Sequence, residues 1–254
     1  MTVSKLFVAG NWKMNGLLAD LAEIEAVKAG VEPSGPDVAV FPPATLLHAA
    51  ASLLKGSPIG LGAQDCHAQA KGAFTGDLSA AILKDAGAQA VIVGHSERRS
   101  GHGETSADVR AKASAALKAG LKAIVCIGET KGERLVGLAA EVCSRQVAGS
   151  LPDESTPDTV IVAYEPVWAI GTGLSPTIDD ITAIHAVVRS KLQERFPNSQ
   201  GWRILYGGSV TDKNAASIFE SPEVDGVLVG GASLKANSFL GIIAAAKEAS
   251  PRRS

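Results

Sequence analysis

Apolar positions in this chain fall into short runs at fairly even spacing, and several runs are continuous rather than alternating, as in Val91-Ile92-Val93 and Val160-Ile161-Val162. A strand with one wetted face alternates; an unbroken Val/Ile run fits a parallel strand covered on both faces. The pattern predicts strands near 5–10, 37–41, 58–63, 89–94, 123–127, 159–164, 203–206 and 226–229. Between them lie Ala/Leu/Lys/Glu segments with helical spacing, for example 18–29, 106–119, 133–148, 178–195 and 214–220. Asp179 and Asp180 fall in the first turn of one of these, where the helix dipole favours carboxylates, and Gly120 is placed to cap another. Eight strand–helix units in 254 residues average about 32 residues each, the size of a (β/α)8 barrel unit. No linker or composition break divides the chain. The expectation is α/β class, a single (β/α)8 barrel domain over 1–254, with a doubly wound open sheet as the rival.

Composition narrows the partners. The chain is 46% hydrophobic but only 4% aromatic, which suits a large aliphatic core. A net charge of -2 gives no reason to expect nucleic acid or a membrane surface, so an anionic ligand would need a local site. Cys66, Cys126 and Cys143 are widely spaced with no Cys-x-x-Cys pair, which suggests reduced thiols in a cytoplasmic protein. No apolar stretch is long enough to span a bilayer, and the run at 6–9 is too short for a signal peptide.

In a barrel of this kind the loops after the strands carry the chemistry. The sixth strand ends in Glu165, followed by Pro166 and then Gly171-Thr172-Gly173, the pattern of a base beside a movable loop or of a plain surface turn. The first strand ends in Asn11-Trp12-Lys13. Position alone favours a solvated lysine there; an anionic substrate would reverse that, because a fixed ammonium stabilises developing negative charge. The fourth strand runs into Gly94-His95-Ser96-Glu97-Arg98-Arg99. His95 is placed either for proton transfer or as a turn cap, and a helix starting there would disfavour its cation. Ser96 lacks the second glycine of a nucleophile elbow, and Glu97 and Arg98 read as supporting charges. The seventh and eighth strands end in Gly207-Gly208-Ser209 and Gly230-Gly231-Ala232. Glycine pairs at those two strands suit phosphate held by backbone N–H groups. Dinucleotide-binding, P-loop and His-Glu-x-x-His motifs are missing, and the remaining histidines form no metal cluster in the sequence.

Taken in order, these segments resemble the triosephosphate isomerase family. The match runs through Ala9-Gly10-Asn11-Trp12-Lys13-Met14-Asn15, Gly72-Ala73-Phe74-Thr75-Gly76, His95-Ser96-Glu97-Arg98-Arg99, Cys126-Ile127-Gly128-Glu129-Thr130, Ala163 to Gly173, Tyr206-Gly207-Gly208-Ser209-Val210 and Leu228 to Leu234. The resemblance implies interconversion of dihydroxyacetone phosphate and glyceraldehyde 3-phosphate, with no cofactor and no metal. It implies Glu165 as base, His95 as electrophile and proton shuttle, Lys13 stabilising negative charge beside Asn11, and phosphate on the amides of Gly171, Ser209, Gly230 and Gly231. It implies a lid over 166–176, with Trp168 either anchoring it or simply packing, and Glu97 as a supporting residue. It also implies a homodimer through the loop 64–76, with Thr75 at its tip. Two departures from the family pattern are Leu174-Ser175-Pro176 at the lid's second hinge and Asp65 where Asn is usual. The alternatives are an isomerase of a phosphorylated tetrose, and a non-catalytic barrel that binds a partner.

Overall fold

The computed structural model describes residues 5–169 and 176–250. Strands β1 Phe7–Asn11, β2 Asp37–Phe41, β3 Gly60–Ala63, β4 Ala90–Val93, β5 Lys122–Ile127, β6 Val160–Tyr164, β7 Ile204–Tyr206 and β8 Gly226–Val229 form a closed parallel barrel in sequence order. Closure rests on β1 pairing with β8, in the register Phe7↔Gly226 to Gly10↔Val229, which excludes the open sheet. Helices α1 Leu21–Gly30, α2 Ala44–Leu53, α3 Ala80–Asp85, α4 Ser96–Gly101, α5 Ser106–Lys118, α6 Lys131–Leu135, α7 Ala139–Ser150, α8 Ile178–Arg195, α9 Ala215–Glu220 and α10 Ala236–Ala249 surround it.

The continuous apolar runs have the cause the sequence suggests. Successive strand residues alternate between two cores. Phe7, Ala9, Phe41, Ile92, Ile124, Cys126, Ile161, Leu205 and Leu228 fill the barrel interior. Val8, Val40, Val91, Val93, Val125, Val160 and Val227 face outward and pack with helix residues such as Val109, Val147, Val188 and Phe239. Both faces are dry along the middle of each strand, so polar residues such as Asn11, Asp37 and Lys122 stand only at strand ends.

Helix ends follow local chemistry. Thr177 opens α8 with a capping box, its hydroxyl accepting from the Asp180 amide while Asp180 accepts from the Thr177 amide. Gly120, at φ 75°, follows α5 and donates to the Leu117 carbonyl at 2.9 Å. The helix expected over 133–148 is broken in two: Gly137 adopts φ 78° and donates to the Arg134 carbonyl, ending α6 before α7 begins. The segment expected to be helical from 18 starts as a 3-10 turn, Leu18–Asp20. Among the described residues no helix is long and apolar enough to cross a membrane.

Candidate active site

The carboxyl ends of the strands open on a cavity of about 560 Å³ lined by Asn11, Lys13, His95, Ser96, Glu97, Glu165, Ser209, Gly230 and Gly231, among others. Eight residues singled out in the sequence are therefore gathered around one space. Thr75 stands apart, exposed on its loop. Gly171, the other expected phosphate contact, lies outside the described residues, as do the lid positions from Ile170 to Ser175.

At the tip of β1 the backbone turns sharply. Lys13 takes φ 54°, rare for a residue with a side chain, and its amide donates to Asn11 Oδ1 at 3.0 Å. Its carbonyl accepts from Gln64 Nε2 at 2.8 Å, which ties the turn to β3's loop. The turn aims the ammonium inward, with Nζ 2.6 Å from Glu97 Oε1. Such strain persists only where surrounding bonds over-determine it.

At the tip of β4, His95 caps the short helix α4, and its Nδ1 accepts from the Glu97 amide at 3.2 Å. With Nδ1 already accepting, the ring proton sits on Nε2, which lies 2.9 Å from Glu165 Oε1. Burial opposes the imidazolium, but the Glu165 carboxylate and, behind it, Glu97 outweigh burial and raise the His95 pKa above its ordinary value.

Glu165 itself is 1% exposed. Oε2 accepts from the Ser96 amide at 2.9 Å and Oε1 from the Ser96 hydroxyl at 3.1 Å. Burial would raise its pKa; His95 and the two Ser96 donors outweigh that and hold the carboxyl below its usual range. The group is ionised at neutral pH, and both its oxygens are engaged. The part played by Ser96 was hidden in the sequence, where nothing marks a bond to a residue 69 positions away.

Glu165 continues into Pro166 and the 3-10 turn Val167–Ala169, which sits on Glu129 at the tip of β5. Trp168 Nε1 donates to Glu129 Oε1 at 2.8 Å, and the Val167 amide to the Glu129 carbonyl at 3.2 Å. Arg134 lies over the indole at 5.2 Å and pairs with Asp180 at the start of α8. Trp168 is thus anchored rather than merely packed. Glu129 is a second residue whose weight the sequence did not reveal.

Asp65 turns into its own chain. It accepts from Lys112 Nζ at 2.8 Å and lies 2.9 Å from Arg98 Nε, and both cations also serve Glu104. Glu104 Oε2 remains buried with no partner.

A family model described as Triosephosphate isomerase matches residues 6–246. A triosephosphate isomerase of Afipia carboxidovorans is 57% identical over 92% of this chain and 95% of its own length. One of Rhodopseudomonas palustris is 56% identical over 94% of this chain and 97% of its own. The crystal structure of triosephosphate isomerase from Bartonella henselae superposes with a TM-score of 0.90 at 45% identity, covering 95% of this chain and 98% of that one.

Proposed function

The chain belongs to the triosephosphate isomerase family, and from that premise we propose how its residues divide the work. The enzyme is an isomerase that interconverts dihydroxyacetone phosphate and D-glyceraldehyde 3-phosphate. Glu165 takes a proton from the carbon next to the substrate carbonyl, and the released electron pair moves onto the carbonyl oxygen to form an enediolate. His95 Nε2–H and the Lys13 ammonium face that oxygen, where they stabilise charge that exists only during reaction. His95 moves a proton between the two oxygens, and Glu165 returns its proton to the neighbouring carbon. Amides of Ser209, Gly230, Gly231 and Gly171 hold the phosphate. Glu165 must first leave Ser96 and His95, because a carboxylate engaged by three donors is a weak base. Substrate supplies the exchange, as catalytic contacts commonly tighten only once it is bound.

The observation that carries this reading is the convergence of Lys13, His95 and Glu165, from three strand tips, on one cavity. An isomerase assay on the purified protein and on Glu165→Asp tests it. Shortening the base by one methylene misplaces it by about 1 Å and is expected to cost roughly 100-fold. An unimpaired variant removes Glu165 from the role. Running the same assay on a phosphorylated tetrose measures how strictly the three-carbon substrate is preferred.

The chain works as a single domain, a reading supported by the pairing of its first strand with its last. It forms a homodimer through the loop 64–76. Met14, 97% exposed, and Phe74, Leu78 and Ile82 present apolar surface on that side, beside a second cavity of about 480 Å³ that reaches Lys13 and Glu97. Sedimentation at micromolar concentration tests this, and a monomer would overturn it. A cytoplasmic location is supported by three buried, unpaired thiols.

A further inference from the structure

Beyond the last paired residues of β1 and β8, Gly10 and Val229, the two strand tips are joined by an indole. Trp12, between Asn11 and Lys13, is 2% exposed, and its Nε1–H donates to the Ser233 carbonyl at 3.1 Å, across 221 positions of sequence. Ser233 belongs to the 3-10 turn Gly231–Leu234, which begins at the expected phosphate amides. The turn is closed on itself: the Ser233 amide and hydroxyl both donate to the Gly230 carbonyl, at 2.8 and 2.7 Å. It also lies tightly on β1, since a Cβ on Gly10 would come within 2.9 Å of Ser233 Cβ. On its other side, a Cβ on Gly230 would stand 3.4 Å from Lys13 Cε. The stem of the ammonium and the start of the turn therefore lie side by side with room for little between them, and the indole adds a side-chain bond to the pairing of the two strands that carry them. Trp12 does not line the cavity, so it touches no reacting atom.

We propose that Trp12 is a positioning residue for the phosphorylated end of the substrate: its bond to Ser233 sets the Gly230 and Gly231 amides at the correct separation from Lys13. The inference rests on reading those amides as phosphate donors. Its physical content is that binding energy from a remote group lowers the barrier only if that group is held in fixed relation to the reacting centre. Without the indole N–H the Ser233 carbonyl loses its anchor and the turn can tilt, while Lys13 keeps its own bonds to Asn11 and Gln64.

The test is Trp12→Phe, which retains the ring and removes the donor, assayed on the triose phosphates and on D-glyceraldehyde, which lacks the phosphate. The expected result is a loss of about tenfold in kcat/KM for the phosphorylated substrate, below the roughly 100-fold that a full 1 Å displacement can cost. Inhibition by inorganic phosphate weakens in parallel, and turnover of D-glyceraldehyde is unchanged. Equal losses on both substrates, or no loss on either, overturn the proposal. Should Trp12→Phe fail to fold, the Trp12 Nε1–H proton resonance of the unmodified enzyme reads the bond to the Ser233 carbonyl directly: it must shift on titration with inorganic phosphate, and a resonance that stays put overturns the idea. Gly231→Val separates this inference from the reading beneath it. If Gly231→Val leaves both substrates untouched, the phosphate amides are misassigned and both fall. If it is selective and Trp12→Phe is not, only the role of Trp12 falls.

Discussion

Two neighbouring strand tips each bury a glutamate, and the pair behaves in opposite ways. Strands β5 and β6 run in register to Ile127↔Tyr164, with Glu129 beyond one and Glu165 beyond the other. Exposure does not separate them, at 0% and 1%. Their partners do. Glu129 accepts from Tyr164 Oη at 3.1 Å and Trp168 Nε1 at 2.8 Å, with Arg134 Nη1 at 3.6 Å, and does not line the cavity. Glu165 faces the cavity, and its donors Ser96 and His95 line that same cavity, where a ligand can reach them. A buried carboxylate is therefore structural or reactive according to whether its partners are permanent or exchangeable, and its depth decides nothing.

The sharpest way to break the comparison is to make the same isosteric change at both tips. Glu165→Gln removes the base, and general-base loss at this level is expected to cost about 1,000-fold in kcat. Its melting temperature should move by no more than about 3 °C. Glu129→Gln can keep one oxygen for Tyr164 and Trp168, which share Oε1, but it removes the charge that faces Arg134 and sets a buried amide NH₂ against the Cys143 thiol at the Oε2 position. That is expected to cost about 2 kcal/mol, or roughly 5 °C in melting temperature, with kcat reduced less than tenfold. Activity and thermal melts of both variants decide the matter. If the two lose activity equally, permanence of partners is the wrong criterion.

Much of this division was legible in the sequence, and what was not has a common physical cause. Strand positions were readable because both faces of each strand are dry, which leaves unbroken Val/Ile runs. Helix ends were readable where the signal is local, as at Thr177 and Gly120. The break at Gly137 was missed because apolar and charged residues continue in helical rhythm on both sides of it. Lys13, His95 and Glu165 could be named because each stands at the end of an apolar run. Ser96, Glu129, Gln64 and Trp12 could not be weighed, because each acts on a residue brought near only by barrel closure. Glu97 was read as a supporting charge, and its contact with Lys13 became visible only with the two tips in one cavity.

A smaller effect sharpens the exchangeable side. Ser96→Ala removes one of the donors that hold the Glu165 pKa down, so that pKa rises. The folded value lies below the ordinary carboxylate range, so the stability Glu165 contributes is present above that range and is lost as pH falls through the folded value. In Ser96→Ala that loss begins at higher pH. The acid limb of kcat/KM, which reports the free enzyme's coupled Glu165–His95 pair, moves the same way. At neutral pH the rate should change less than about tenfold, since the Ser96 amide still donates. A pH profile superimposable on that of the unmodified enzyme would show that the hydroxyl does not tune the base.

Asp65 supplies the third and mildest case, a half-buried carboxylate whose partners are permanent but shared. Lys112 and Arg98 each serve both Asp65 and Glu104, so neither carboxylate has a cation to itself. Burial raises the Asp65 pKa, Lys112 and Arg98 pull it down without prevailing, and Glu104 adds to the rise. A carboxyl whose pKa is raised by folding binds its proton more readily in the folded state, so stability declines as pH climbs from the ordinary carboxylate range through the folded value. At neutral pH the ionised Asp65 is thus a net cost to the fold. Asp65→Asn keeps an acceptor for Lys112 and removes one charge, and it adds an amide donor to a cluster in which Glu104 Oε2 has none. The expected gain is about 2 °C in melting temperature at pH 7, shrinking toward zero near pH 4 as the native Asp65 takes up its proton. Differential scanning calorimetry at the two pH values measures it. A variant less stable at pH 7 would mean that the shared cations hold Asp65 as firmly as Tyr164 and Trp168 hold Glu129, and sharing would then be no weakness in a permanent network.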